Sequence, residues 1–496
     1  MSHLRGRGSA AARAFAALSL VAITLAPVLA FASDPASGPA PEPSRQSALV
    51  RVVVGLAAAT ALAVAAAHPF VRRVERRLGL TVLVSSGVPF LILGYVFHHA
   101  RVGVLTDSVV NDLRPALEFA FGLMGFAVGL QFDVRELDVM PEKTGSVIFA
   151  ETSIPMITTT VACAAVLFAL DPAWSFASFG SVREGVSALA ARPAFRDALA
   201  LGACAAQAAP VAAVAIAGRS GSTTARLIAA VTRLDDAAGV FLLAIICAFF
   251  RPTDAVAAWK LPHIAWLFVT LGMGGLFGLL TYVLLRGSKT PTERFTSLLG
   301  AVGLSAGMSG YLAISPIVSC AIAGALLINL PFKHMADLKQ SITELERPLY
   351  MIFLLIAGAM WEPTAWEGWL LVPVFVLARV GGKLVGAHVA KSVGPAELPD
   401  PTTLGLALSP QAPITIVTIV SYAVVFAPHD GVLSRTPWLT TAIIGSAVLT
   451  EVTIQVIVRM RGDLRFDDAH LSKPSMHPPG LSLPPPRPSL PEDGAH

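Results

Sequence analysis

From residue 48 to residue 460 the chain alternates long apolar runs with short polar punctuation. A hydrocarbon core of ~30 Å takes about 20 apolar residues to cross as a helix. The runs predict thirteen such helices, near 48–68, 82–98, 114–131, 147–170, 196–216, 223–250, 262–285, 295–313, 314–330, 348–365, 368–391, 402–426 and 437–458. Strands of alternating polarity are absent, so the pattern favours a helical bundle over an outer-membrane barrel. Composition agrees. Only 14% of the 496 residues are charged and 54% are hydrophobic, whereas soluble domains carry roughly a quarter charged residues. The fold class is an all-α integral membrane protein.

The two ends break the pattern. Residues 1–32 combine Arg5, Arg7 and Arg13 with the apolar "AFAALSLVAITLAPVLA" and an A-x-A site ending at Ala32, which reads as a signal peptide or an extra span. Residues 33–47 form a Pro/Ser/Gly linker too polar to fold, 48–460 the membrane domain, and 461–496 a Pro-rich tail.

The net charge of +4 sits in short interhelical loops, which argues against a nucleic-acid partner and encodes topology instead. Arg72, Arg73, Arg76 and Arg77 share a side with Arg286, Lys289, Lys333, Arg459 and others, while the opposite loops hold fewer bases. That places the protein in the inner (plasma) membrane with the mature N-terminus outside and the C-terminus in the cytoplasm. Cys163, Cys204, Cys247 and Cys320 all fall in apolar runs without CxxC spacing, as buried free thiols do. There is no P-loop and no Rossmann fingerprint, and no HExxH or GxSxG. A nucleotide-driven pump and an enzyme are both disfavoured, and an ion gradient or the membrane potential must drive any transport.

Three features place polar chemistry where lipid should forbid it. The run "AVTRLDDAAGVFLLAIICAFF" holds Arg233, Asp235 and Asp236. If the acids merely capped a helix, about fourteen residues, or ~21 Å, would remain to cross, which is too short. A span starting near Thr223 puts both acids close to its middle, where ionisable residues mark ion pathways. Neighbouring residues are ~100° apart on a helix, so one carboxylate can face a cavity while the other faces a packed neighbour. Arg233 reads as an edge residue that snorkels toward the cytoplasmic interface.

Second, "VFVLARVGGKLVGAHVAK" puts Arg379 and Lys383 at i, i+4 on one helix face, beside Gly381, Gly382 and Gly386, which allow close helix approach. A lysine at that depth needs an anion, and Asp235 or Asp236 can supply it. Third, two spans are interrupted: "LALGACAAQAAPVAAVAIAG" by Gln207 and Pro210, and "LGLALSPQAPITIVTIVSY" by Ser409, Pro410, Gln411 and Pro413. Proline removes a donor and clashes with the preceding turn, so both helices should unwind there. Paired interrupted helices, each beside a charged one, point to the binding site of a secondary transporter.

With these residues the chain resembles the monovalent cation:proton antiporter superfamily, in its paired-aspartate sodium/proton exchanger branch. The resemblance covers roughly residues 48–460. It is carried by "RLDDAAGVFLL", "ARVGGKLVGA", "LMGFAVGLQFDVREL" and "SPIVSCAIAGALLINLP", and by the order of spans, with the acid pair on the sixth and the lysine on the eleventh. It implies inverted repeats with two broken crossing helices, a dimer domain and a core ion-transport domain, elevator-type alternating access and a homodimer. It implies exchange of a monovalent cation, Na⁺ foremost, for protons, with no cofactor beyond the transported ions. Asp236 becomes the ion carrier and Asp235 the partner of Lys383, with Arg379 as the other candidate for that pairing. Where the family often has Thr or Ser before the first proline, this chain has "QAAP"; where it often has an acid after the second kink, this chain has "SPQAPIT". A proton-coupled organic-anion transporter and a non-transporting sensor are the alternative readings.

Overall fold

The computed structural model of the chain describes residues 88–99, 105–138, 142–171, 192–209, 223–251, 261–394, 398–430 and 434–461. All regular structure among them is α-helical, and the order is α1 (Val88–His98), α2 (Asp107–Asp112), α3 (Arg114–Gly129), α4 (Val134–Asp138), α5 (Thr144–Ala169), α6 (Pro193–Ala206), α7 (Thr223–Phe249), α8 (His263–Gly287), α9 (Pro291–Tyr311), α10 (Pro316–Asn329), α11 (Met335–Ala359), α12 (Trp366–Val393), α13 (Pro401–Ala407), α14 (Pro413–Asp430) and α15 (Thr436–Arg461). The signal segment, the linker, the span at 48–68 and the tail lie outside the described residues.

The sequence marks many of these starts. Pro193, Pro291, Pro316 and Pro401 occupy the first helical turn of α6, α9, α10 and α13, where a missing N–H costs nothing. Thr290 and Glu293 close a reciprocal capping box on α9. The boundaries follow the apolar runs closely except at α11. That helix was expected over 348–365 and instead runs from Met335 to Ala359, with Pro348 inside it. The amphipathic turns "MADLKQSITELER" extend it before its apolar part begins, so polarity there marks an exposed helix face and not a loop.

By length and composition alone, α3 with its continuation to residue 136, α5, α8, α12 and α14 are long and apolar enough to cross a membrane. α7 is not among them, because Asp235, Asp236 and Arg233 fall in every stretch of it long enough to span.

The helices pack as two bundles. One, the frame, comprises α1, α3, α8, α9, α10 and α11, with α4 tied to α10 where Val134 N–H donates to Asn329 Oδ1; the other, the core, comprises α5, α6, α7, α12, α13, α14 and α15. In the frame, α3 and α10 touch backbone to backbone. A Cβ on Gly125 would sit 2.1 Å from the Ile317 carbonyl oxygen, and one on Gly129 2.1 Å from that of Ala321. These two glycines form a GxxxG spacing, the small-residue device that lets membrane helices approach closely. In the core, α5 and α12 meet at Gly382, where a Cβ would lie 2.6 Å from the Pro155 Cα. Gly381 faces open space, so only part of the glycine cluster on α12 serves packing.

Along the seam between the bundles, apolar side chains of α3, α10 and α11 join those of α6, α7 and α14 in one cluster. The seam's polar links include Arg233–Glu136 at 2.7 Å, Ser315–Ser421 at 2.9 Å and Arg114 to the Val424 carbonyl at 3.4 Å. A cavity of ≈ 430 Å³ also lies there, walled by Val128 and Ile322 of the frame and by Phe241 and Ala244 of the core, among others. The four cysteines are buried and unbridged.

Candidate functional site

Both interrupted spans unwind in the core. α6 ends at Ala206 and residues 207–209 have no regular structure, Gln207 being extended with φ −69° and ψ 132°. Residues 408–412 separate α13 from α14. The two unwound segments meet: Ala209 N–H donates to the Pro410 carbonyl at 3.0 Å. Pro210 lies outside the described residues.

Unwinding leaves carbonyls without intrahelical partners, at helix ends that carry partial negative charge. Arg379 of α12 answers both needs. It is fully buried, and its Nε donates to Ala205 O at 3.2 Å. Its Nη2 donates to Gln207 O at 2.5 Å and Pro410 O at 3.2 Å, and its Nη1 to Ser409 O. One guanidinium therefore binds both broken helices, which its fork of five donors permits.

One turn further on, Lys383 is also fully buried and takes a different partner. Its Nζ donates to Asp235 Oδ2 at 2.8 Å and to the Glu151 carbonyl at 2.9 Å. Asp235 Oδ1 accepts from the Thr152 hydroxyl at 2.5 Å. Asp235 is thus wholly enclosed by α5 and α12. Asp236, the next residue, turns elsewhere and is 4% exposed. Its Oδ1 has no hydrogen-bond partner among the described residues.

Gln207 spans the space between α7 and α14. Its Nε2 donates to Thr418 Oγ1 at 3.1 Å and to the Asp236 carbonyl at 3.4 Å, while its Oε1 is buried and unpartnered among the described residues. Gly239 makes room for it, since a Cβ there would lie 2.8 Å from the Gln207 amide nitrogen. Ser409 is less available than its place in the kink suggests. Its hydroxyl bonds back to Gly405 O at 2.7 Å and its carbonyl is held by Arg379. Gln411 donates to Ser446 of α15 at 2.7 Å, and its Oε1 is likewise unpartnered. Arg233 forms the cross-seam pair with Glu136.

Glu151, Thr152 and Thr418 belong to this constellation and were not singled out from the sequence. For Glu151 the signal was present: "FAETSIPMITTT" places a lone acid in an apolar run. Thr152 and Thr418 carry no such signal, because a threonine in an apolar helix ordinarily bonds its own backbone.

A helical bundle with several membrane-length apolar helices, in which two unwound segments meet beside a buried acid pair and its bases, defines an ion-transporting membrane protein. The chain belongs to the sodium/hydrogen exchanger family: the family's transmembrane region matches residues 62–459, and the protein is accordingly a cation/proton antiporter. No curated protein matches the sequence.

Proposed function

We propose that the protein exchanges a monovalent cation, Na⁺ foremost, for protons at Asp236. The observation that carries this is the contrast between adjacent acids. Asp235 is neutralised by Lys383 and Thr152, whereas Asp236 presents an unpartnered oxygen within the same enclosed region. A buried carboxylate without a partner is costly, so Asp236 must hold a proton or a cation. Competition between the two for one carboxylate is sufficient for exchange.

The cation ligands follow from which oxygens are free. Hard cations take oxygen ligands, and the carbonyls of Gln207, Ser409 and Pro410 are engaged by Arg379. Asp236 Oδ1 and the Oε1 atoms of Gln207 and Gln411 remain, to be completed by water and by Asp235 once it leaves Lys383. A carrier of organic anions would need a spare base, yet Arg379 and Lys383 are both committed.

The core bundle, carrying the loaded site, then moves against the frame in an elevator-like cycle, with the frame forming the contact between two copies in a homodimer. The division of the helices into two bundles supports this reading. The charged loops orient the C-terminus toward the cytoplasm.

The test is a dye-based ΔpH assay in proteoliposomes, with Na⁺, Li⁺, K⁺ and Rb⁺ supplied in turn. The native protein should collapse the gradient with Na⁺ above the others, and Asp236→Asn should not, while still folding. Undiminished exchange by Asp236→Asn sinks the assignment.

A further inference from the structure

One buried acid of the core has no role in the exchange as described. Glu151 of α5 is fully inaccessible, and neither of its carboxyl oxygens has a hydrogen-bond partner among the described residues. It is nevertheless woven into the site. Its carbonyl accepts from Lys383 Nζ at 2.9 Å, and the next residue, Thr152, donates to Asp235. Its carboxyl lies against α12, where a Cβ on Gly386, three residues beyond Lys383, would come within 3.4 Å of Oε1.

An ionised carboxylate in such a place is uncompensated, because the ammonium beside it is taken up by Asp235. Glu151 therefore carries a proton while the Lys383–Asp235 pair is closed. When a cation draws Asp235 away, the situation inverts and Lys383 becomes the uncompensated charge. The acid whose own carbonyl it already touches is then the natural anion.

We propose that Glu151 is a third exchanging acid of the site, protonated while Lys383 holds Asp235 and ionised to hold Lys383 when a cation engages both aspartates. The charge balance is explicit. In the proton-loaded state Asp236 and Glu151 each bear a proton, and Asp235⁻ faces Lys383⁺. Cation entry releases both protons to water, the O–H bonds of Asp236 and Glu151 breaking heterolytically, and Lys383 keeps its own proton throughout. Two protons thus leave for one cation, so turnover moves net charge. The charged groups facing Glu151 from the packed helices are Lys383 of α12 and Asp235 of α7; those of α6, Arg196 and Asp197, are bound to each other and to Asp430. The proposal rests on Asp236 as the primary carrier.

The experiment is a reversal measurement in proteoliposomes, in which the Na⁺ gradient that balances a set ΔpH gives the stoichiometry. The native protein should exchange two protons per cation and Glu151→Gln one, with Glu151→Asp restoring two. An unchanged ratio in Glu151→Gln overturns the proposal. Should Glu151→Gln fail to transport, infrared difference spectra of the purified protein decide. The cation-free native protein should show C=O absorption from two protonated carboxyls that Na⁺ removes, of which Glu151→Gln keeps only that of Asp236. Undiminished carboxyl absorption in Glu151→Gln also overturns it. Failure of the Asp236 assignment is distinguishable, because it appears as normal exchange by Asp236→Asn whatever Glu151 does.

Discussion

Arg379 and Lys383 lie one turn apart on α12, yet one binds only carbonyls and the other binds Asp235. The division follows from the shape of the two cations. A planar fork can satisfy several carbonyls converging from two helix ends, while a compact ammonium suits a single carboxylate.

Separating that lysine from its aspartate exposes the cost of an isolated buried charge. Lys383→Ala should destabilise the protein by about 3–5 kcal/mol, the usual penalty for removing one member of a buried pair. The double variant Lys383→Met/Asp235→Leu should recover much of that loss. Thermal melting in detergent measures both, and equal instability of the single and double variants would contradict the pairing.

Arg379→Lys preserves the charge and loses the fork. A lysine at 379 cannot reach all four carbonyls, and each one left bare costs about 1–3 kcal/mol. The variant should melt at a lower temperature than the native protein. Melting like the native protein would show that the crossing does not depend on the guanidinium.

Gln207→Leu removes a proposed cation ligand without touching either acid. Losing one such contact, about 1.4 kcal/mol, should raise the apparent KM for Na⁺ roughly tenfold. Uptake kinetics at fixed pH give the answer, and an unchanged KM would remove Gln207 from the ligand set.

The Arg233–Glu136 pair crosses from core to frame and is half-open to solvent, with side-chain exposures of 13% and 33%. Arg233→Ala should change stability by about 1 kcal/mol or less. Bridging Arg233→Cys and Glu136→Cys with a reducible bifunctional thiol cross-linker, by contrast, should arrest turnover and release it on reduction, the pair being too far apart at the backbone for a direct disulfide. Full transport by the cross-linked protein would mean that the two bundles do not move past each other at this point.

Much of this architecture is legible in the sequence, because hydrophobic run length dictates where helices lie. α11 departs from that rule where an amphipathic helix continues beyond its apolar stretch. Spacing put Arg379 and Lys383 on one face, but their partners depend on how two unwound segments meet, which no local pattern encodes. The same limit applies to Ser409. Its position in the kink suggests an available hydroxyl, whereas the four-residue return to Gly405 consumes it. Glu151 was readable by the same reasoning that found Asp235, as an acid alone in an apolar helix. It lacks only the neighbouring proline or paired acid that draws attention to the other sites.

The broken helices are fastened to each other at two levels. Midway, Ala209 bonds Pro410 and Arg379 clasps both; at the far end, Arg196 of α6 grips Asp430 of α14 at 2.6 Å, and Tyr422 bonds Asp197. Prising the two apart would rupture charged and neutral bonds at both levels together, whereas carrying them as one piece ruptures none. The crossing is therefore stiff as a joint, and any movement of one segment carries the other with it.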